Sequence, residues 1–300
     1  MTIQHILIQV IFPVFLIVIV GYIVGKFKAL DPKTLSTTCV YLLTPMLIID
    51  TLTKYMPPFK ELVWIFSAVI AHLIILSLIS WLIAVIFKVK GRAFSYLLLT
   101  IVICNSGNYP VPINFFAYGE TGMTYALLVM IANIFITTTV GVWLASSNGK
   151  FLEGLKSILS LPLIYALLLP FALKFLGWHI PDCLMKAIHL LGQAAIPMDL
   201  IVLGSILAMS MSNLIDYRSF VSIAVRLLIS PLLGILIVLA LGITGQMQKS
   251  LIITFGMPTA VYTSILATQF DGDKEFAAGA VLLSTICSLL TVPLILWLLG

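Results

Sequence analysis

From Leu62 to Phe87 the chain runs for 26 residues without an Asp, Glu, Lys or Arg. Wound as a helix at 1.5 Å per residue, such a run is about 39 Å long, enough to cross the roughly 30 Å hydrocarbon layer of a bilayer. Similar apolar runs follow one another along the chain, with charges collected in the short gaps. Of the 300 residues, 61% are hydrophobic and 9% charged, whereas a soluble domain carries about 25% charged residues. The weaker, alternating pattern of a membrane β-barrel is missing. These features predict an all-α integral membrane protein embedded in the lipid bilayer.

Ten spans fit, at about residues 3–26, 34–53, 62–88, 93–117, 122–146, 157–176, 184–211, 218–241, 248–269 and 275–299. The polar stretch 147–156, with Gly149 and Gly154, is the one real linker. Lys and Arg are retained in cytoplasmic loops, so their distribution sets the expected orientation. With the N-terminus outside, ten of them fall in inner loops: Lys26, Lys28, Lys33, Lys88, Lys90, Arg92, Lys150, Lys156, Arg218 and Lys274. Five fall in outer loops: Lys54, Lys60, Lys174, Lys186 and Lys249. A multi-pass protein of the plasma membrane with both termini outside is expected. The first residues, Met-Thr-Ile-Gln-His, lack the basic segment of a cleaved signal, so the first run reads as a retained span. No basic cluster with interleaved aromatics suggests a nucleic-acid partner.

The fourth span is interrupted by Cys104-Asn-Ser-Gly-Asn-Tyr-Pro-Val-Pro112. A glycine weakens a helix by about 1 kcal/mol and an interior proline by about 3 kcal/mol. Gly107, Pro110 and Pro112 therefore predict a break. Inside a bilayer, backbone freed in this way is tolerated only where protein or a water-filled cavity satisfies it. Asn105, Ser106, Asn108 and Tyr109 supply side-chain donors and acceptors there, and the expectation is a binding site near mid-membrane. A kink packed between neighbouring helices is the plainer alternative.

The chain also repeats itself. Pro45-Met46 in the second span is matched by Pro197-Met198 in the seventh, 152 residues later, and Pro110 by Pro258 of Gly256-Met-Pro-Thr-Ala260, 148 residues later. Both offsets are close to half the chain. Five spans per half is an odd number, so the second half enters the membrane inverted. The predicted architecture is ten transmembrane helices as two inverted five-helix repeats, residues 1–146 and 157–300, joined by a cytoplasmic linker, 147–156. Helices 4 and 9 are broken, and if the repeats cross they meet at mid-membrane.

Each break creates a half-helix whose N-terminus carries roughly half a positive charge and unpaired N–H groups. Two such ends together suit an anion without a buried Lys or Arg. Asn105 and Asn108 are expected to donate to the same group, with Tyr109, Met257 and Tyr262 walling an apolar part of the ligand. Thr259, beside Pro258, is either a further donor or a helix cap. Ionisable residues inside the spans each need a partner, water or neutralisation. They are Asp50, His72, His189, Asp199 and Arg226. Asp199 is a candidate for ion coupling. Arg226 is expected to snorkel or to pair with Asp199, and Asn133 to hydrogen-bond between helices. Asp50, near a helix end, reads as solvated. Cys39, Cys104, Cys183 and Cys287 are scattered, with no spacing for a metal site or a disulfide framework. Asp271-Gly-Asp-Lys-Glu275 lacks the rest of a calcium loop and reads as a solvated turn. Metalloprotease, nucleophile-elbow and phosphate-loop signatures are absent, so neither an enzyme nor a cofactor is expected.

Asn105-Ser-Gly-Asn-Tyr-Pro-Val-Pro-Ile-Asn-Phe-Phe-Ala-Tyr-Gly-Glu120 resembles the fourth-helix motif of the auxin efflux carrier family, prokaryotic branch. Pro197-Met198 with Leu203-Gly204-Ser205 resembles that family's seventh helix, and Gly256-Met-Pro-Thr-Ala260 its ninth. The resemblance implies ten helices in two inverted repeats, with the fourth and ninth crossing at Pro110 and Pro258. It further implies a scaffold of spans 1, 2, 6 and 7, a mobile domain of spans 3–5 and 8–10, and a homodimer. Asn105 matches the crossover Asn that contacts the substrate carboxylate, while the ninth segment has no Asn beside Pro258. Relatives carry auxin or dicarboxylates such as malate and malonate. The sequence-level reading is a secondary transporter for small organic anions by alternating access. The alternatives are a Na⁺- or H⁺-coupled symporter of the same fold and a non-transporting membrane receptor.

Overall fold

The computed structural model describes residues 2–28, 30–138, 159–209, 217–269 and 272–300. The expected linker at 147–156 lies outside them. Eleven helices account for most of the described residues, with no strand among them. Seven are long and apolar enough to cross a membrane: α1 Ile3–Lys28, α2 Pro32–Lys54, α3 Phe59–Ile86, α5 Pro110–Ile136, α7 Asp182–Ala208, α8 Tyr217–Ala240 and α11 Lys274–Leu298. The others are α4 Gly91–Val102, α6 Pro162–Leu176, α9 Gly245–Phe255 and α10 Tyr262–Gln269. At 1.5 Å per residue α4 is about 18 Å long, α9 about 16 Å and α10 about 12 Å, so none crosses a 30 Å core alone.

Proline shapes several of these helices. α1, α2 and α8 each contain a wide π-helical turn, at Ile6–Ile11, Cys39–Leu43 and Val225–Ile229. Each turn ends two residues before a proline: Pro13, Pro45 and Pro231. A proline ring strikes the carbonyl one turn back and offers no N–H, so letting in one extra residue relieves the clash without ending the helix. α5 is bent instead at Gly119, whose φ of 66° and ψ of −156° lie outside the helical region. That bend falls between the expected fourth and fifth spans.

The helices pack as two groups. α1 lies along α7, and α2 against α6 and α7. In the other group α3 packs on α4, α5 and α8, α5 on α9, and α11 on α8 and α10. The α1–α7 contact is backbone to backbone: a Cβ added at Gly204 would sit 2.0 Å from the Val18 carbonyl oxygen, and one at Gly21 2.5 Å from that of Ile201. Small residues allow this approach, which is how apolar helices associate where lipid is as greasy as leucine. The two groups touch through α1 and α2 against α5, with α1 also reaching α11.

Candidate functional site

α4 stops at Val102, where Ile103 turns extended (φ −87°, ψ 105°), and the chain becomes helical again at Pro110. α9 stops at Phe255, and α10 begins at Tyr262. The two gaps lie against each other. The Asn105 N–H donates to the Pro258 carbonyl at 2.8 Å, and the Ala260 N–H to the Ile103 carbonyl at 3.0 Å, an isolated antiparallel bridge centred on Cys104 and Thr259. Backbone groups freed by the prolines thus satisfy one another in an apolar interior. The Thr259 hydroxyl donates to the Thr100 carbonyl at 2.8 Å, and its N–H to Ser284 Oγ at 3.1 Å.

Arg226 sits in the π-helical turn of α8, fully buried. Neither arrangement expected from the sequence is seen: it neither snorkels nor pairs with Asp199. Its Nη1 donates to the carbonyls of Ile101 (2.9 Å) and Val102 (3.3 Å), its Nε to that of Met257 (3.1 Å), and its Nη2 to Phe255 and to Ser230 Oγ (2.7 Å). The final carbonyls of α4 and α9, orphaned because each helix stops, are gathered by one guanidinium. Behind it His72 Nε2 lies 3.0 Å from Ser230 Oγ, and the imidazole stacks on Phe255 at 3.9 Å between ring centres.

A cavity of about 450 Å³ opens beside the bridge, between the two groups of helices. Asn105, Ser106, Gly107 and Asn108 line one side, Val261 and Tyr262 another, and Thr44 and Asp199 the facing wall. Among the described residues the Asn105, Ser106 and Asn108 side chains make no hydrogen bond to protein, leaving them free to meet a ligand. Asp199 is 7% exposed, with the Cys39 thiol beside it.

The other sequence candidates lie elsewhere. Tyr109 is fully buried, edge-on to Phe15 at 5.8 Å, with Ser288 Oγ 3.4 Å from its hydroxyl. Pro110 opens α5 and is buried. Met257 and Pro258 contribute carbonyls to Arg226 and Asn105, not side chains to the cavity. Asn133 donates to Val129 O in its own helix, at 3.0 Å, and accepts a weak contact from Cys104 Sγ at 3.7 Å.

A second cavity of about 490 Å³ lies further along the same helices, bounded by Asp50, Thr51 and Lys54 of α2, His189 and Gln193 of α7, and Glu120 near the α5 bend. The solvated Asp50 expected from sequence is instead 4% exposed. Its Oδ2 lies 2.9 Å from both Lys54 Nζ and His189 Nδ1. Lys54 one turn beyond Asp50 was a local signal for this pair, whereas His189 is 139 residues away.

With this geometry in view, the comparisons with known proteins are decisive at the level of family. The model of a membrane transport protein family matches residues 6–158 and 153–296. The chain belongs to that family, of the auxin efflux carrier type. An uncharacterized transporter of Methanocaldococcus jannaschii is 25% identical over 302 residues, covering 97% of this chain and 98% of the relative. Another uncharacterized transporter, from Methanothermobacter thermautotrophicus, is 26% identical over 299 residues, covering 95% and 96%. This is a multi-pass membrane protein of a transporter family, and nothing in the family or the relatives points to an enzyme.

Proposed function

We propose that the protein is a secondary carrier for small organic anions, working by alternating access. The observation that carries the reading is the bridge between Cys104 and Thr259 at the edge of a cavity whose Asn105, Ser106 and Asn108 side chains have no hydrogen-bond partner among the described residues. In this reading α4 with the start of α5, and α9 with α10, are the broken fourth and ninth helices of two inverted five-helix repeats (residues 1–146 and 157–300), crossing at Pro110 and Pro258. A carboxylate is held by the Asn105 and Asn108 amides, Ser106, and the positive ends of α5 and α10.

The two cavities support the motion. Along α2 the first is lined by residues 40–44 and the second by residues 47–55, about 14 Å further on between their centres. Both lie between the α1–α2–α6–α7 group and the rest. Sliding one group past the other would open the crossing to each cavity in turn, without any change within the bridge itself. Both termini outside, the plasma membrane and a homodimer complete the reading. An inside-negative potential then favours exit of a monoanion by about 2.3 kcal/mol per 100 mV, so export needs no pump.

Asn105→Ala in proteoliposomes tests this: flux of a labelled carboxylate should fall at least tenfold while the yield of folded protein holds. Equal losses in flux and yield would make Asn105 structural. A symporter is the second reading, because Asp199 lines the same cavity and could carry a proton or face a cation. Flux indifferent to imposed Na⁺ and pH gradients would remove it.

A further inference from the structure

Two broken helices that meet bring four helix ends to one place. The C-termini of α4 and α9 each carry about half a negative charge, and the N-termini of α5 and α10 about half a positive one. Summed, the four come to roughly zero, so the meeting of the breaks alone favours neither sign of ligand. Arg226 alters that sum. Its guanidinium takes the carbonyls of Ile101 and Val102 at the end of α4, and those of Phe255 and Met257 at the end of α9. Among the described residues no carboxylate stands within ion-pair distance of it. Its full charge therefore falls on helix dipoles and on no acid.

We propose that Arg226 sets the charge preference of the cavity beside the bridge: by cancelling the two negative helix ends, it leaves the positive ends uncompensated. The site then prefers a carboxylate to the uncharged amide of the same shape. Arg226 does not line the cavity and touches no ligand there, so it is a positioning residue that acts through the field. That field is poorly screened in an interior of low dielectric. The proposal rests on reading this cavity as the substrate site.

The test uses purified protein and matched pairs, acetate with acetamide, malonate with malonamide, and indoleacetate with indoleacetamide, each titrated as a stabiliser against heat. Arg226→Gln keeps a polar side chain and loses the charge. Ser230→Asp leaves the guanidinium in place but gives it an anion, because Ser230 Oγ already lies 2.7 Å from Nη2 and outside the cavity lining. Ser230→Asn controls for the lost hydroxyl. The carboxylate-over-amide preference should fall at least tenfold in Arg226→Gln and Ser230→Asp, and should hold in Ser230→Asn. Should Arg226→Gln fail to fold, Ser230→Asp decides alone. A wild type that prefers carboxylate, with that preference kept in Ser230→Asp, overturns the role of Arg226 and leaves the carrier standing. A wild type stabilised by no carboxylate overturns both.

Discussion

Arg226→Met keeps most of the apolar stem and removes the guanidinium donors, so it measures what the clamp is worth. Two carbonyls, those of Ile101 and Met257, lose their donor in a fully buried place; Phe255 keeps the Ser230 hydroxyl, and the longer Val102 contact at 3.3 Å adds little. A buried acceptor left without a donor costs about 1–3 kcal/mol, which gives roughly 2–6 kcal/mol for the two. Removing the guanidinium also removes the cost of burying it, and what remains is neutral carbonyl and not a stranded charge. The balance falls at the low end, about 2–4 kcal/mol. At about 2–4 °C per kcal/mol for a chain of this size, the melting temperature should drop by about 10 °C. Buried Cys39 and Cys104 supply the assay, since a thiol-reactive dye labels them only as the protein opens, above a constant signal from exposed Cys183 and Cys287. Arg226→Lys, with a charge but no planar fork, should melt in between. Melting of Arg226→Met within about 2 °C of wild type would refute the clamp.

Three further outcomes follow from the packing. Gly204→Ala places a Cβ 2.0 Å from the Val18 carbonyl oxygen, so α1 and α7 must separate, at about 1–3 kcal/mol, seen as loss of monodisperse protein in detergent. Gly119→Ala meets nothing within 4 Å, and its cost of about 1–3 kcal/mol comes from the backbone alone, since φ 66° with ψ −156° is a region that essentially only glycine occupies; a melting temperature equal to wild type would mean that the bend had straightened. Asp199→Asn removes the acid facing the cavity, so carboxylate binding should strengthen and any response of flux to a pH gradient should vanish. Unchanged gradient response in that variant would place coupling elsewhere.

The positions of the breaks were legible because they are matters of local backbone chemistry. Pro110 and Pro258 lack an N–H wherever they sit, and the helices do stop at Val102 and Phe255. The directions of the side chains were not. Tyr109 sits in the middle of a polar motif yet packs against Phe15 and Ser288, since a broken segment has no fixed periodicity from which to read a face. Asp50 read as solvated from its place near a helix end, and α7 covers it with His189, a contact set by tertiary packing. Arg226 was hardest. Its partners are carbonyls 125 and 29 residues away, and every residue has a carbonyl, so no residue type in the sequence marks them.

The polar groups around the bridge divide according to which helix end they serve. Arg226 donates to carbonyls at the ends of α4 and α9, the Thr259 hydroxyl to that of Thr100 near the end of α4, and Ser230, held by His72, adds a further donor to Phe255. Those ends are saturated, and their donors are committed. The opposite ends, at Asn108 before α5 and Val261 before α10, border the cavity, where the nearby amide side chains have no partner among the described residues. The backbone carbonyls at the helix ends are therefore answered internally, while the Asn105 and Asn108 amides face open space with Asp199 on the opposite wall. With the backbone acceptors answered, the amides are the groups the proposed carboxylate would meet. With the carbonyls of Ile101 and Phe255 held by Arg226, a cation in the cavity would have to rely on Asp199 and side-chain oxygens such as those of Thr44, Asn105, Ser106 and Asn108, so the coupled reading stands or falls on Asp199.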